Sequence, residues 1–461
     1  MLTRNQMLSV LMLEGLASSG LQIIAIRQSV PFVGSSILST SIIISVFLGA
    51  LAAGYMFGGR VDGGRYRAVL SRNLLICIPL FGIGMSYLFH EIFYVLLAAM
   101  TEGSALLSSP LVHVSLFSML VLAPLVFLLA QTVPLLLNSS PKKRHSEAAG
   151  DATAFSTIGN VIGCLLTSLV LMHYLGVAAS IVINCFILAI CLLIIAGAHQ
   201  GAYLKKIPAP LAFLCFIYAS NISVGGVYLE YDNAYSNTQI IEVEGGRNLV
   251  VNRSYASYIG DDGTSTHQYI EMARNGIVGR AAGKDMLVLG SGGFTLTRED
   301  DPFNSVIYVD IDPSLVKVSE EKFLKRKIAG EFHAEDARHY LIRAKRQWDF
   351  IVVDVYTNAL SVPTHISTAE FYALVDKRLT RTGTAVINML LDPMLKDDYS
   401  RNVDRTIRSS FGSCITDVND LTAPVSNVVY FCSPKTTSKL TLYRDDSTQI
   451  DIDRFFSVVT Q

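Results

Sequence analysis

Residues 286–293 read Met-Leu-Val-Leu-Gly-Ser-Gly-Gly, an apolar run that passes directly into a glycine-rich turn. An unbroken apolar run of this length suits a strand buried on both faces of a parallel sheet. Glycine at its C-terminal end lets the backbone turn tightly and approach a ligand closely, and open α/β sheets bind their ligands at that rim. A helix that follows adds its N-terminal amides for an anion. By itself, such a turn is a weak sign of a nucleotide site.

The chain downstream strengthens the reading. A second apolar run over 306–309 ends in Asp310-Ile311-Asp312, roughly twenty residues past the glycines, the spacing at which a carboxylate accepts from both ribose hydroxyls. A run over 332–334 ends in Glu335-Asp336, and another over 350–353 ends in Asp354. Solvated loop acids have no reason to fall at successive strand ends of one rim. Helices predicted over 314–326 and 368–379, with further strands over 385–389 and 428–432, alternate as in a doubly wound, largely parallel sheet. Trp348, just before the strand ending in Asp354, is expected to pack against that sheet.

Upstream, period-two strands over 238–243 and 248–252, joined by Gly245-Gly246, predict a small β-lid. Before the lid the composition changes. The 461 residues are 51% hydrophobic and only 16% charged, too apolar for a soluble fold throughout. Apolar runs long enough for about 30 Å of hydrocarbon cover 7–26, 35–57, 74–100, 111–137, 152–175, 178–198 and 208–229. They predict a polytopic transmembrane bundle of about seven helices over 1–229 and an α/β domain over 230–461. Gly49, Gly54 and Gly58 in the second run, and Gly159 and Gly163 in the fifth, are spaced to let helices approach closely. Glu14 and Gln22 lie within the first run, where such groups face a bundle interior, as a packing device or with a function. The basic loops Arg60 to Arg72, Lys142 to Arg144 and Lys205-Lys206 are expected on the cytoplasmic side.

A net charge of −1 provides no field that would draw nucleic acid. Five of the seven cysteines sit in apolar runs, where they act as small hydrophobes, and no CxxC pair or His/Cys cluster suggests a metal.

The order of glycine loop, Val309-Asp310-Ile311-Asp312, Glu335-Asp336 and Val352-Val353-Asp354, after a lid strand opening Ser236-x-x-Gln239, resembles the spermidine synthase (polyamine aminopropyltransferase) family over about 235–435. The upstream half, including 148–163, resembles the membrane domain fused to such enzymes in bacteria. The resemblance implies a class I methyltransferase-like, Rossmann-like fold with an N-terminal β-lid. It implies aminopropyl transfer from decarboxylated S-adenosylmethionine to a polyamine amine, without a metal, often in a homodimer. Residue by residue, Gln239 is implied to touch the nucleoside, and Gly290, Ser291, Gly292 and Gly293 to form the donor loop. Asp310 is implied to chelate the ribose, and Glu335-Asp336 to lie at the adenine, Asp336 reading its amino group. Asp354 becomes the catalytic base and Tyr269 a neighbour of the accepting nitrogen.

The departures matter as much. Where the family has Gly-Gly-Gly-Asp, this chain has Gly293 and so lacks the acid that holds the donor's ammonium. Its partner, three residues after the catalytic aspartate, is Thr357; the residue after Tyr269 is Ile270; and the lid's Leu-Asp-Gly is Val251-Asn252-Arg253. The polyamine pocket reads as dismantled. Losing an acid beside a donor carboxylate removes a repulsion, so intact S-adenosylmethionine is a second expected donor, with an amine acceptor or none. A rival from another class is a non-catalytic nucleoside-binding transporter or membrane sensor, and a third reading has the membrane half supply a lipid amine or peptide acceptor. Asp354 has a bland alternative as a turn cap, and loop histidines such as His267 and His365 are more often idle.

The expected location is a bacterial inner membrane, with the α/β domain in the cytosol where its donor is made. Seven crossings with cytoplasmic basic loops would put that domain outside, so a segment near 220–226 is expected not to span. A bond between Cys414 and Cys432 would mark an oxidising compartment.

Overall fold

The computed structural model describes residues 2–104, 106–138, 145–197, 208–223, 225–358 and 362–435. The basic residues Lys142, Lys143, Arg144, Lys205 and Lys206 lie outside them. The chain divides into two compact units, Met1–Gln239 and Ile240–Gln461.

The first unit is helical: α1 Arg4–Val33, α2 Ile37–Gly59, α3 Tyr66–Gly84, α4 Tyr87–Thr101, α5 Pro110–Asn138, α6 His145–Leu165, α7 Gly176–Gly197, α8 Pro208–Tyr218 and α9 Gly225–Tyr228. Five stretches are long and apolar enough to cross a membrane: α1, α2, α3, α5 and Ser146–Gly197, the last of which bends at Gly176. The shorter Tyr87–Thr101 and Phe213–Tyr228 are also apolar. The single run expected over 74–100 is two helices, because Ser86 opens a new one by accepting from the Phe89 amide at 3.2 Å. The glycine spacing acts mainly between α1 and α6, where a Cβ on Gly159 would meet the Met12 carbonyl at 2.1 Å. Gly54 and Gly58 likewise lie on α5, but Gly49 meets nothing within 4 Å and packs no helix. Large apolar side chains such as Leu48, Leu96, Leu169 and Phe186 face outward, each more than half exposed. After α9, β1 (Tyr231–Asp232) pairs antiparallel with the start of β2 (Asn237–Val243). There Asp232 is buried against Arg27 of α1 at 3.3 Å.

The second unit opens with the rest of β2 and the hairpin of β3 (Gly246–Val251) and β4 (Ser254–Gly260). The strand expected to reach 252 stops one residue short, because Asn252 and Arg253 take φ of +47° and +63° as the two turn residues. Then come α10 (Gln268–Ile277), β5 (Asp285–Leu289), β6 (Ser305–Asp310), α11 (Ser314–Val318), β7 (Glu331–Ala334), α12 (Ala337–Arg343), β8 (Trp348–Val353), α13 (Ala369–Arg378), β9 (Leu379–Leu391), α14 (Asp398–Ser410), β10 (Ser413–Val418) and β11 (Ser426–Ser433). The seven-stranded sheet has the order β10-β11-β9-β8-β5-β6-β7. Strands β7 to β9 in that order pair in parallel, and β11 and β10 close the sheet antiparallel. The doubly wound α/β fold expected from the strand pattern is the one observed. β10 is an edge strand that buries no residue fully.

One face of the sheet carries the main core, with Leu287, Leu289, Ile351, Val353 and Ile387 packed around a fully buried Trp348. Burying six such side chains contributes on the order of 10 kcal/mol before chain entropy is subtracted. Strand β5 lies between β6 and β8, so the chain leaves it in opposite directions to its two neighbours. The loop after β5 therefore sits at the topological switch point, where such sheets hold ligands. Cys414 and Cys432, partners in register across β10 and β11, form a disulfide.

Candidate functional site

The loop after β5 is shaped by its contact with the end of β8. Leu289 and Val353 are register partners, and the Asp354 amide donates to the Leu289 carbonyl at 2.9 Å. Gly290 follows with φ of +86°, and a Cβ there would meet the Asp354 carbonyl oxygen at 2.1 Å. Only glycine satisfies both the dihedral and the approach. The same constraint brings the loop and the Asp354 side chain to one place on the rim.

Asp310, at the end of β6, accepts the Ser291 amide at 2.9 Å and its hydroxyl at 3.1 Å on one oxygen, and the Asp312 amide at 3.1 Å on the other. Burial pushes its carboxyl above the usual range, and the hydrogen bonds from Ser291 and Asp312 oppose that rise. Its carboxylate is thus pinned to the glycine loop.

Asp354 is held from two sides. Tyr269, on α10, donates its hydroxyl to one carboxylate oxygen at 3.2 Å, and the Asn388 side-chain amide, on β9, donates to the other at 2.9 Å. Burial raises the Asp354 carboxyl above its ordinary value in spite of both donors. Burial first, then the Asp354 charge, pushes the Tyr269 phenol well above its own, so Tyr269 stays a proton donor. Gly290, Ser291, Gly292, Tyr269, Asp354 and Asn388 line one pocket. Its remaining wall is largely apolar, with Ile270 from α10 facing Val352 and Val386 from the sheet.

The other sequence candidates of the second unit are not among the residues that line that pocket. Gly293 donates its amide to the Ser257 hydroxyl at 2.8 Å, and a Cβ on it would meet the Phe323 ring at 2.3 Å. Glu335 pairs with Arg343 at 2.5 Å and His339 at 2.6 Å along α12. Asp336 caps α12 through the His339 amide at 2.9 Å and accepts His365 Nε2 at 2.8 Å. Burial works against its charge, but these two partners outweigh burial and hold it below the usual carboxylate value. Gln239, in the first unit, donates its side-chain amide to the Tyr87 hydroxyl at 2.5 Å.

Two of the departures touch each other. The Asn252 side-chain amide donates to the backbone carbonyl of Thr357 at 2.8 Å. Sequence reasoning missed Asn388, because an asparagine inside an apolar strand carries no local sign of what it faces. His267, expected to be idle, stacks on Tyr269 with ring centroids 6.0 Å apart. Arg298 is structural: it binds Glu271 at 3.1 Å and the Thr264 carbonyl at 2.8 Å.

The fold and this rim define a doubly wound α/β domain with a glycine-rich loop at the switch point and one buried, doubly anchored carboxylate beside it. The family model of the spermine/spermidine synthase domain matches residues 255–443. Among curated proteins, the chain is 26% identical over 134 residues to polyamine aminopropyltransferase 2 of Aquifex aeolicus, covering 27% of each chain. It is 29% identical over 138 residues to polyamine aminopropyltransferase 2 of Pseudomonas aeruginosa, covering 28% of this chain and 40% of that one. The chain thus spans less than half the length of the curated relatives it matches. Among solved structures, a probable spermidine synthase from Corynebacterium glutamicum aligns with a TM-score of 0.39 and 19% identity over 48% of this chain and 84% of that one. Spermidine synthase from Thermotoga maritima aligns with a TM-score of 0.36 and 15% identity over 50% and 88%. Residues 255–443 of this chain are thus similar to the spermine/spermidine synthase domain, and apolar helices precede them.

Proposed function

We propose that the chain is a membrane-bound, spermidine-synthase-like enzyme that cleaves S-adenosylmethionine or its decarboxylated form at the sulfonium, releasing methylthioadenosine. The observation that carries this reading is Asp354, buried between Tyr269 and Asn388 in the pocket shared with the Gly290 loop. A sulfonium is already activated, so the protein needs to orient a nucleophile and keep water out. In transfer to an amine, the nitrogen attacks the carbon bonded to sulfur. The carbon–sulfur electron pair leaves with neutral methylthioadenosine, and Asp354 takes the proton lost by the new ammonium. In the intramolecular version, the donor's own amine or carboxylate makes the same displacement and leaves a ring product.

Intact S-adenosylmethionine is the donor favoured by this site. Phe323 and Ser257 fill the space that an acid at position 293 would need, so the donor's carboxylate meets no like charge there. The apolar wall at Ile270 and the neutral Asn252–Thr357 contact provide no anchor for a polyamine cation. Release of methylthioadenosine from either donor, lost in Asp354→Asn, is the expected result; binding of the nucleoside with no product over long incubation would instead support the transporter or sensor reading.

The outward apolar side chains of the helical unit suit a bilayer, and we place the chain in a bacterial inner membrane. The second unit is placed in the cytosol, where the donor is made, with a homodimer as the family's usual assembly. One observation favours the opposite side: the Cys414–Cys432 disulfide is of a kind that persists in oxidising compartments. Protease protection of the second unit in sealed inside-out vesicles decides between the two.

A further inference from the structure

Glu14 lies near the middle of α1 and is 3% exposed. It makes no hydrogen bond or ion pair among the described residues. Tyr55 of α2, Cys77 of α3 and Cys191 of α7 are among the titratable groups within electrostatic reach of it. Val10, one turn earlier, has its carbonyl 3.9 Å from the Cys191 sulfur. None of these neighbours carries a positive charge. On α6, which presses against α1 by backbone contact, Asp151 is already paired with Arg4 at 2.5 Å, about three turns from Glu14. The histidines of α4 and α5 lie elsewhere: His90 packs on Phe32 near the far end of α1, and His113 binds Thr101.

A second observation points the same way. Ser18, one turn on from Glu14, is also 3% exposed, and its hydroxyl has no partner. A glutamate kept for packing would bond across to a neighbouring helix, as Asn73 does to Gln131 at 3.0 Å. A bare carboxylate without a cation is too costly at this depth, so the group carries a proton or a small cation in its place. We infer that Glu14, with Ser18 beside it, is an exchangeable proton-binding site of the helical unit, which gives that unit an ion-handling role beyond anchoring the second one.

The test uses the full wild-type chain in phosphatidylcholine vesicles. Dicyclohexylcarbodiimide reacts with protonated carboxyls in apolar surroundings, and mass spectrometry quantifies its adduct on the Glu14 peptide between pH 6 and 9. The expected result is an adduct on Glu14 whose rate of formation falls at least tenfold across that range. Glu14→Gln is expected to lose the adduct and Glu14→Asp to keep it. Sodium chloride, potassium chloride and putrescine are then added at fixed pH. Slowing by one of them identifies an ion that replaces the proton, and slowing by none leaves the proton as the sole ligand. No adduct in the folded wild-type chain, or a rate flat with pH, overturns the inference without depending on any variant's folding.

Discussion

Two sets of residues in the second unit differ in how far they keep the pattern that the resemblance implies. On the nucleoside side, Gly290, Ser291 and Asp310 form a tightly bonded set in which every oxygen of the carboxylate has a donor. The positions that the resemblance implied to be acidic are Gly293, Asn252 and Thr357, which do not line the pocket, and the pocket's remaining wall is largely apolar. Asp354 lines the pocket with Gly290 and Ser291. Under the proposed function, such a site would keep the machinery that grips an activated donor while discarding the charges that select a cationic acceptor. The two tasks are carried by different strand ends and different loops, so one can change without disturbing the other.

The comparison can be broken most strongly at Asp354. Asp354→Asn should lower methylthioadenosine formation by about 10²- to 10⁴-fold, the usual worth of a positioned base, as measured by chromatography of the nucleoside. An equal loss of binding would show instead that the residue only shapes the pocket. Next in size is Gly290→Ala, whose methyl group collides with the Asp354 carbonyl in a left-handed backbone. It should cost about 1–3 kcal/mol of stability in denaturant unfolding and abolish nucleoside binding together.

Removing Asn388 sharpens the account of the base. The Asp354 carboxyl already sits above its usual value because it is buried, so the active, ionised form appears only as pH rises through that displaced value. Asn388 donates to the ionised form and holds the value down. Asn388→Ala should then move the acid limb of the rate profile upward by about one pH unit or more, in line with about 1.5–3 kcal/mol for a hydrogen bond to a charged group. A limb that stays in place would show that Asn388 does not tune the base.

The smallest effect is expected at His365→Ala. The Asp336–His365 contact is partly exposed on both sides, and such pairs contribute about 0–1 kcal/mol. Because Asp336 is held below the usual carboxylate value, what stability it contributes is present above the unfolded value and is lost as pH falls through the folded one. The variant should flatten that acid-side loss slightly in melting curves and leave nucleoside release near the wild-type level.

The strand ends were legible in sequence because each combines an apolar run with a glycine or acid, and the parallel sheet forces those ends to one edge. That logic found Gly290, Asp310 and Asp354 without any contact information. It did not find Asn388, whose importance depends on β9 lying next to β8 in the sheet. Glu335 illustrates the converse: an acid at a strand end turned aside to Arg343 and His339 because α12 begins immediately after it. The split of the third apolar run into α3 and α4 was also hidden, since a single serine cap interrupts a run that hydropathy alone joins.

The claim that the site has lost its selecting charges is tested most directly by calorimetric titration of the full chain with S-adenosylmethionine and with its decarboxylated form. The site described here predicts tighter binding of the intact, carboxylate-bearing donor, with Gly293→Asp weakening that preference or unfolding the loop against Phe323. Clear preference of the wild-type chain for the decarboxylated donor would contradict it.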